Sequence, residues 1–385
     1  MTTALPLTGL TIVELGHSVA APYAGSILAQ LGARVVKVEQ PGAGDPTRDW
    51  GPPYHCGTAV VFDALNRDKQ PVAVDFKDEG DRDRLRGFIM AEADVVIQNL
   101  RPGSIERTGL SDRDLLPHRP SLVYCNLSAF GRGGPLASKP GYDPLMQAYG
   151  GLMSINGEEG RPPVRVGTSI IDMGAGMWSV IGILAALGER QRTGLGGVVD
   201  TSLYETALAW MTLPIATYLA SGDVPRALGS AAPQIVPYQI FATQDGYLMV
   251  AAGNDGLFDR LAHALGRPEW CDDERYSANG RRVVNREPLV DEISAIMARA
   301  STAAWIERLE AAGVPNARPQ SVDAVACDPQ TLALEIIQQA AGDDRRFVGL
   351  PLRFDLARPP LRAMPPTLGA HDALLAATGQ AAGAI

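Results

Sequence analysis

The chain has 385 residues, enough for two packed domains or for one large domain with an appended lobe. Its 34 Lys and Arg against 43 Asp and Glu leave a formal net charge of -9. That balance argues against nucleic acid or an anionic membrane as a partner, while a local basic patch for a small anionic ligand stays open.

Four cysteines, Cys56, Cys125, Cys271 and Cys327, form no CxxC pair. Neither a zinc knuckle nor a disulfide framework is indicated, and the set fits a reduced cytoplasm. The N-terminal run MTTALPLTGLTIVELG lacks the basic start and long apolar core of a signal peptide. The 41 Gly and 29 Pro favour a loop-rich α/β enzyme over a helical bundle.

In chain order, residues 10–15 read as a short apolar strand, followed by Gly16 and His17. Pro22 can open a helix whose inward face is Ile27, Leu28 and Leu31. Residues 34–38 then give a second strand. Strand, helix and strand in so short a span mark a parallel α/β sheet. No GxGxxG follows the first strand, so a dinucleotide fingerprint is absent. Residues 41–66, rich in Gly and Pro, read as a surface excursion. Residues 72–76, 94–98 and 122–127 are further strands, and residues 79–90 a helix with Leu85, Phe88 and Ile89 inward. The strand at 94–98 runs into Asn99-Leu100-Arg101-Pro102-Gly103. Ligands of open α/β sheets gather at the carboxyl ends of strands, which suits Asn99 and Arg101 for binding. Arg101 reads equally as a solvent-facing turn residue.

Residues 177–187 read as a buried helix, with Asp172 near its start between Ile171 and the small run Gly174-Ala175-Gly176. By chemistry alone Asp172 reads first as a helix cap, with a catalytic carboxylate as the alternative. Residues 204–220 read as one apolar helix, also interior rather than membrane-spanning, and 221–239 as a linker. A smaller mixed lobe follows, with a strand at 247–252 and helices at 256–265 and 305–312. Residues 313–322 read as a strand and turn returning toward the first domain, and 347–354 as a short strand. The domains are therefore drawn at 1–220, 221–325 and 326–385.

The five histidines make no HxH or HExxH pattern, so no metal site is expected. His17, directly after a strand and a glycine, is the one best placed to meet a ligand. No GxSxG elbow exists. Cys125 lies inside a strand and reads as buried rather than nucleophilic. Lys139 suits a phosphate or carboxylate, or only solvent.

Several runs together resemble the class III coenzyme A transferases, the CaiB/BaiF family. They are LTGLTIVELGHSVAAPYAGSILAQLGARVVKVEQPGAGDPTR, VVIQNLRPG, NLSAFGRGGP, GYDPLMQAYGGLM, VGTSIIDMGAG and PPTLGAHDALL. Their order and spacing span nearly the whole chain. The resemblance implies an α/β fold with a Rossmann-related large domain and a smaller mixed α/β domain, in an interlocked ring-like homodimer. It implies Asp172 as nucleophile and His17, Ser18, Val19, Ala20, Asn99, Leu100, Arg101 and Lys139 along the coenzyme A site. It also implies Lys77 at the nucleotide phosphates and Gln40 at the adenine end, where relatives often carry arginine. No permanently bound cofactor or metal is implied; the coenzyme A thioester is a substrate.

The related racemases use a GHD motif where this chain has Gly141-Tyr142-Asp143. Tyrosine titrates far above histidine, which favours transferase over racemase. The resemblance thus implies transfer of CoA from an acyl-CoA, such as succinyl-CoA, to a free carboxylic acid. Dicarboxylates such as itaconate, mesaconate, malate or citramalate are the expected acceptors. Arg48 and Arg165 are candidates to pair a second carboxylate, and amides near Gly174-Gly176 are candidate oxyanion donors. A racemase and a non-catalytic CoA-binding protein stand as the alternatives.

Overall fold

Short apolar strands alternating with one-sided helices can bury themselves only as a parallel sheet covered on both faces. The computed structural model, which describes residues 4–340 and 342–378, has this arrangement. The chain divides into two units. One comprises the chain up to Leu152, Arg165–Asp223 and the chain from Pro329; the other is Met153–Val164 with Val224–Asp328. The stretch 153–164, drawn from sequence inside the first domain, thus groups with the second unit.

In the first unit, six strands form one sheet: β1 (Thr11–Glu14), β2 (Arg34–Glu39), β3 (Lys69–Ala73), β4 (Val95–Gln98), β5 (Val123–Ser128) and β6 (Gly197–Ser202). Their order is β3-β2-β1-β4-β5-β6 and every pairing is parallel. This is a doubly wound sheet whose order reverses between β1 and β4. Alternate residues face opposite layers, as the strand period requires. Ile12, Val35 and Val95 join the core beneath α1 (Ala20–Gln30) and α5 (Ile170–Thr193). Val13, Val36 and Val96 join the other core, with Leu85, Phe88 and Ile89 of α3 (Glu79–Glu92). The C-terminal helix Ala373–Thr378 adds Leu375 to that second core. Just before it, Asp372 accepts the Ala73 N–H and His371 donates to Pro71 O, so the tail covers the open edge of β3.

Helix α5 crosses α1 closely because Gly176 has no side chain. A Cβ there would lie 2.7 Å from the Ala20 carbonyl oxygen. Gly174 likewise leaves room for Thr206 and Trp210. The small run after Asp172 therefore serves helix packing, inside α5.

Several elements differ from the sequence reading. The excursion 41–66 contains α2 (Val60–Asn66), with Phe62, Asp63 and Asn66 buried. Its short apolar face is split by polar residues, which hides the helical period. β6 has no counterpart among the strands read from the sequence. The single helix expected at 204–220 is two, α6 (Leu203–Trp210) and α7 (Thr212–Ser221). Pro214 has no N–H to offer the Trp210 carbonyl, which accounts for a break there. α4 (Asp143–Tyr149) opens with Pro144, as a helix start should. Finally, α5 is not a wholly buried helix. Met177, Trp178, Ile181 and Leu184 are exposed in the single chain. It is the one helix among the described residues long and apolar enough to cross a membrane, but it packs on α1 and β5–β6 through its buried face.

The second unit holds an antiparallel three-stranded sheet of β7 (Tyr238–Ala242), β8 (Tyr247–Ala251) and β9 (Asn316–Ala317). Helices α8 (Asp255–Ala264), α9 (Arg286–Met297) and α10 (Thr302–Ala311) cover it. Phe241, Leu248, Phe258, Trp270, Ile293 and Trp305 share their core. β7 begins within the stretch 221–239 that reads as a linker. β9 pairs with β8 in this unit, so the chain has not yet returned at residues 316–317; the return begins at Pro329.

Candidate active site

The carboxyl ends of β1 and β4, at the reversal of strand order, open into a pocket. It is lined by His17, Ser18, Val19, Ala20, Asn99, Leu100, Arg101, Lys139, Tyr142 and Asp172, with Ser128 and Leu203 among the others. All belong to the first unit. Nine of the eleven site residues that the resemblance implies therefore line one pocket. Gln40 and Lys77 are not among the lining residues. Both are exposed beyond the ends of β2 and β3, and they meet at Asp75, which accepts from Gln40 Nε2 and from the Lys77 N–H.

The turn after β1 is held tightly. Asn99 grips it from β4: the His17 N–H donates to Asn99 Oδ1 at 2.9 Å, and Asn99 Nδ2 donates to His17 O at 2.9 Å. Gly16 makes the approach feasible, since a Cβ there would come within 2.3 Å of Ala21 Cβ and 3.1 Å of Asn99 Oδ1. Ser18 sits at φ +68°, a left-handed conformation unusual for a side-chain-bearing residue. The His17 Nδ1 lies 3.0 Å from Ser18 Oγ. Burial lowers the His17 pKa, and Lys37 and Arg101 add to that against the opposing pull of Asp45. His17 is therefore neutral near pH 7.

Asp172 is in the first turn of α5. The first N–H groups of a helix need partners outside the helical ladder, and here those of Ile170, Ile171 and Asp172 find them. Ile170 donates to Thr168 O, and the ladder itself begins with Met173 donating to Ser169 O. Ile171 and Asp172 donate to one oxygen of Asp143, at 2.7 and 3.2 Å. Asp143, itself buried and bonded to Gln147, is thus the cap of α5, although it belongs to α4. Asp172 does not cap its own helix. Among the described residues no protein donor reaches its carboxylate. Burial first, and the Asp143 charge second, push its pKa up to about 7.

Sequence reasoning missed Asp143, because Asp before Pro signals a cap for its own helix and nothing local points 28 residues ahead. The amides of Gly174–Gly176 lie beyond the open first turn, so they are not free oxyanion donors. Arg48 is also committed: its guanidinium makes two 2.8 Å bonds to Glu39 and stacks 3.7 Å above Phe62. It is not free to bind a second carboxylate. Arg165 is exposed. Cys125 is buried, and burial pushes its thiol up to about 12, which suits a structural side chain.

The description CoA-transferase family III matches residues 7–372. The chain belongs to this family. It is an acyl-CoA:carboxylate CoA-transferase. It is 36% identical to the succinyl-CoA:glutarate CoA-transferase of Mus musculus over 95% of this chain and 84% of that one. It is 36% identical to the acetyl-CoA:oxalate CoA-transferase of Acetobacter aceti, over 88% and 86% of the two chains. Among solved structures, a CaiB/BaiF family protein from Brucella suis superposes with a TM-score of 0.85 at 38% identity, covering 97% and 99%.

A raised carboxylate pKa has a cost for the fold whose sign can be worked out. The folded chain holds a proton on Asp172 between the ordinary Asp pKa and about 7, while the unfolded chain has lost it. This contribution to stability is present at low pH and is lost as pH rises toward 7. Asp172→Asn removes the penalty. The variant should melt a few degrees above the wild-type protein at pH 8, and the difference should shrink toward pH 4. A thermal-melt series across pH checks this.

Proposed function

We propose that the enzyme takes CoA from an acyl-CoA such as succinyl-CoA and passes it to a free dicarboxylate, with Asp172 as nucleophile. The observation that carries this is the unengaged Asp172 carboxylate in a pocket it shares with His17–Ala20, Asn99–Arg101 and Lys139. The relatives named for glutarate and oxalate transfer support a dicarboxylate acceptor. Arg101 and Lys139 supply the positive charge at the pocket for CoA phosphates or a substrate carboxylate.

Asp172 attacks the thioester carbonyl, and CoA leaves as thiolate, giving an aspartyl–acyl anhydride. The thiolate attacks the aspartyl carbonyl, which expels the donor acid and leaves an aspartyl–CoA thioester. The acceptor carboxylate attacks that thioester, forming a new anhydride and releasing the thiolate again. Attack of thiolate on the acceptor acyl carbon yields the new acyl-CoA and frees Asp172. The thioester is conserved at every step. Water must be excluded, because hydrolysis of either intermediate discards it. Neutral His17 can stabilise charge beside the reacting carbonyl without pairing permanently with Asp172.

The test mixes the purified protein with succinyl-CoA and a panel of free acids: glutarate, oxalate, malate, citramalate, mesaconate and itaconate. A new acyl-CoA with total thioester conserved supports the proposal and names the acceptor. Deuterium exchange at the α-carbon of a branched acyl-CoA, with no transfer, would point to the racemase instead.

The working form is a homodimer, interlocked as in the family it resembles. Exposed Trp178 and Ile181 on α5, with Trp210, Leu213 and Leu219 on α6 and α7, form the apolar surface a second copy would cover. Ile181→Glu should convert a sedimenting dimer to monomer or aggregate. A variant that stays dimeric removes α5 from the interface.

A further inference from the structure

We infer that the buried Lys37–Asp45 ion pair is a positioning device for the pocket turn, holding Ser18 in its left-handed conformation and the His17 ring with it. The motif RVVKVEQPGAGDPTR supplies both residues, and the chemistry above uses neither. Three consecutive residues of the turn are each pinned by a side chain from another element. Lys37 Nζ donates to Gly16 O at 3.0 Å. Asn99 holds both main-chain groups of His17. The Ser18 N–H donates to Asp45 Oδ1 at 3.2 Å. The two outer anchors are joined, because Lys37 Nζ lies 2.8 Å from Asp45 Oδ2. Neither side chain reaches the pocket surface: Lys37 is 0% and Asp45 1% exposed. They do not line the pocket, so they act on it through the turn they hold and through their charges on His17.

The anchors are themselves fixed. Asp45 Oδ1 accepts from the N–H and hydroxyl of Thr47, at 2.9 and 2.7 Å. The Asp45 N–H donates to Glu39, which the Arg48 guanidinium also clamps. Lys37 shares Glu14 with Lys69, at 2.9 and 2.7 Å. Burial alone would raise the Asp45 pKa, but Lys37 and the Thr47 bonds outweigh it and bring it down to about 2. Burial likewise opposes the charge on Lys37, and Glu14, Asp45 and Glu39 more than restore it. The pair is therefore charged throughout the working range. A left-handed Ser is strained and persists only where its surroundings over-determine it. A charge-assisted bond from a buried, fixed carboxylate meets that need.

The charges acting on His17 are Asp45, Lys37 and Arg101. This gives a readout independent of catalysis. Asp45→Asn keeps the volume and an acceptor but removes the negative charge, so the His17 imidazole should titrate lower than in the wild-type protein. Lys37→Met should move it higher. Both are read by NMR of the full chain labelled at histidine, with His17 assigned by His17→Gln. Circular dichroism of the same samples reports folding. In the same samples the Kd for free coenzyme A should weaken by about tenfold for Asp45→Asn. This second reading rests on the proposed CoA site, whereas the titration does not, so the two can fail separately. Folded variants in which His17 titrates as in the wild-type protein would overturn the inference. If neither variant folds, hydrogen exchange on the wild-type chain decides. The Ser18 amide should be protected well beyond other exposed-loop amides; unprotected exchange there overturns the inference.

Discussion

Asp172→Ala should lower the rate of CoA transfer by about 10³-fold or more, with the fold intact. Removing a nucleophile abolishes the covalent route, and what remains is binding and positioning without a group to accept the acyl carbon. The KM for the acyl-CoA should change little by comparison, because the turn at His17–Ala20 and the loop at Asn99–Arg101 are untouched. The substitution removes no hydrogen bond to the Asp172 side chain, and its N–H still reaches Asp143. A steady-state assay with succinyl-CoA, beside a circular dichroism spectrum, checks both halves. Full activity in a folded variant would end the nucleophile assignment.

Asp143→Asn separates two roles that one carboxylate performs. Asn keeps an oxygen for the Ile171 and Asp172 N–H groups, so the start of α5 should stay in place. It removes the charge that, after burial, holds the Asp172 pKa up. The nucleophile must be ionised to attack, so wild-type kcat/KM should rise with pH through about 7. In Asp143→Asn that midpoint should move to lower pH by about one unit, the usual scale of a like-charge neighbour. Asp143→Ala should lose activity more broadly, since it also leaves two buried N–H groups without a partner. A pH–rate profile for each variant checks this. An unmoved midpoint in Asp143→Asn would assign the elevation to burial alone.

These expectations also mark what could be read before the structure. The strands around Ile12, Val35 and Val95 were legible because each is a short β-branched run, and that around Val123 as a short apolar run before a Gly-rich loop; strand–helix–strand spacing left few topologies. The place of His17 and Asn99 followed from the same logic, as residues that directly follow adjacent strands. α2 was not legible, because a seven-residue helix in a Gly- and Pro-rich stretch shows too little period. α5 was legible as a helix but misread as wholly interior. A helix apolar on most sides reads as buried, and one sequence carries no sign of which side faces this chain. The least legible features were those that join distant segments. Asp143 capping α5, and Asp45 reaching Ser18, depend on side chains meeting across the fold, and no local pattern encodes them.

The measurement that tests the central claim most directly is intact-protein mass spectrometry of the enzyme mixed with succinyl-CoA and no acceptor acid. Rapid quenching and peptide mapping should show a coenzyme A adduct on Asp172, formed as free succinate appears and lost when an acceptor is added. Asp172→Ala should show none. Transfer that proceeds in the wild-type protein with no adduct at any quench time, and continues in Asp172→Ala, would contradict covalent catalysis by this aspartate.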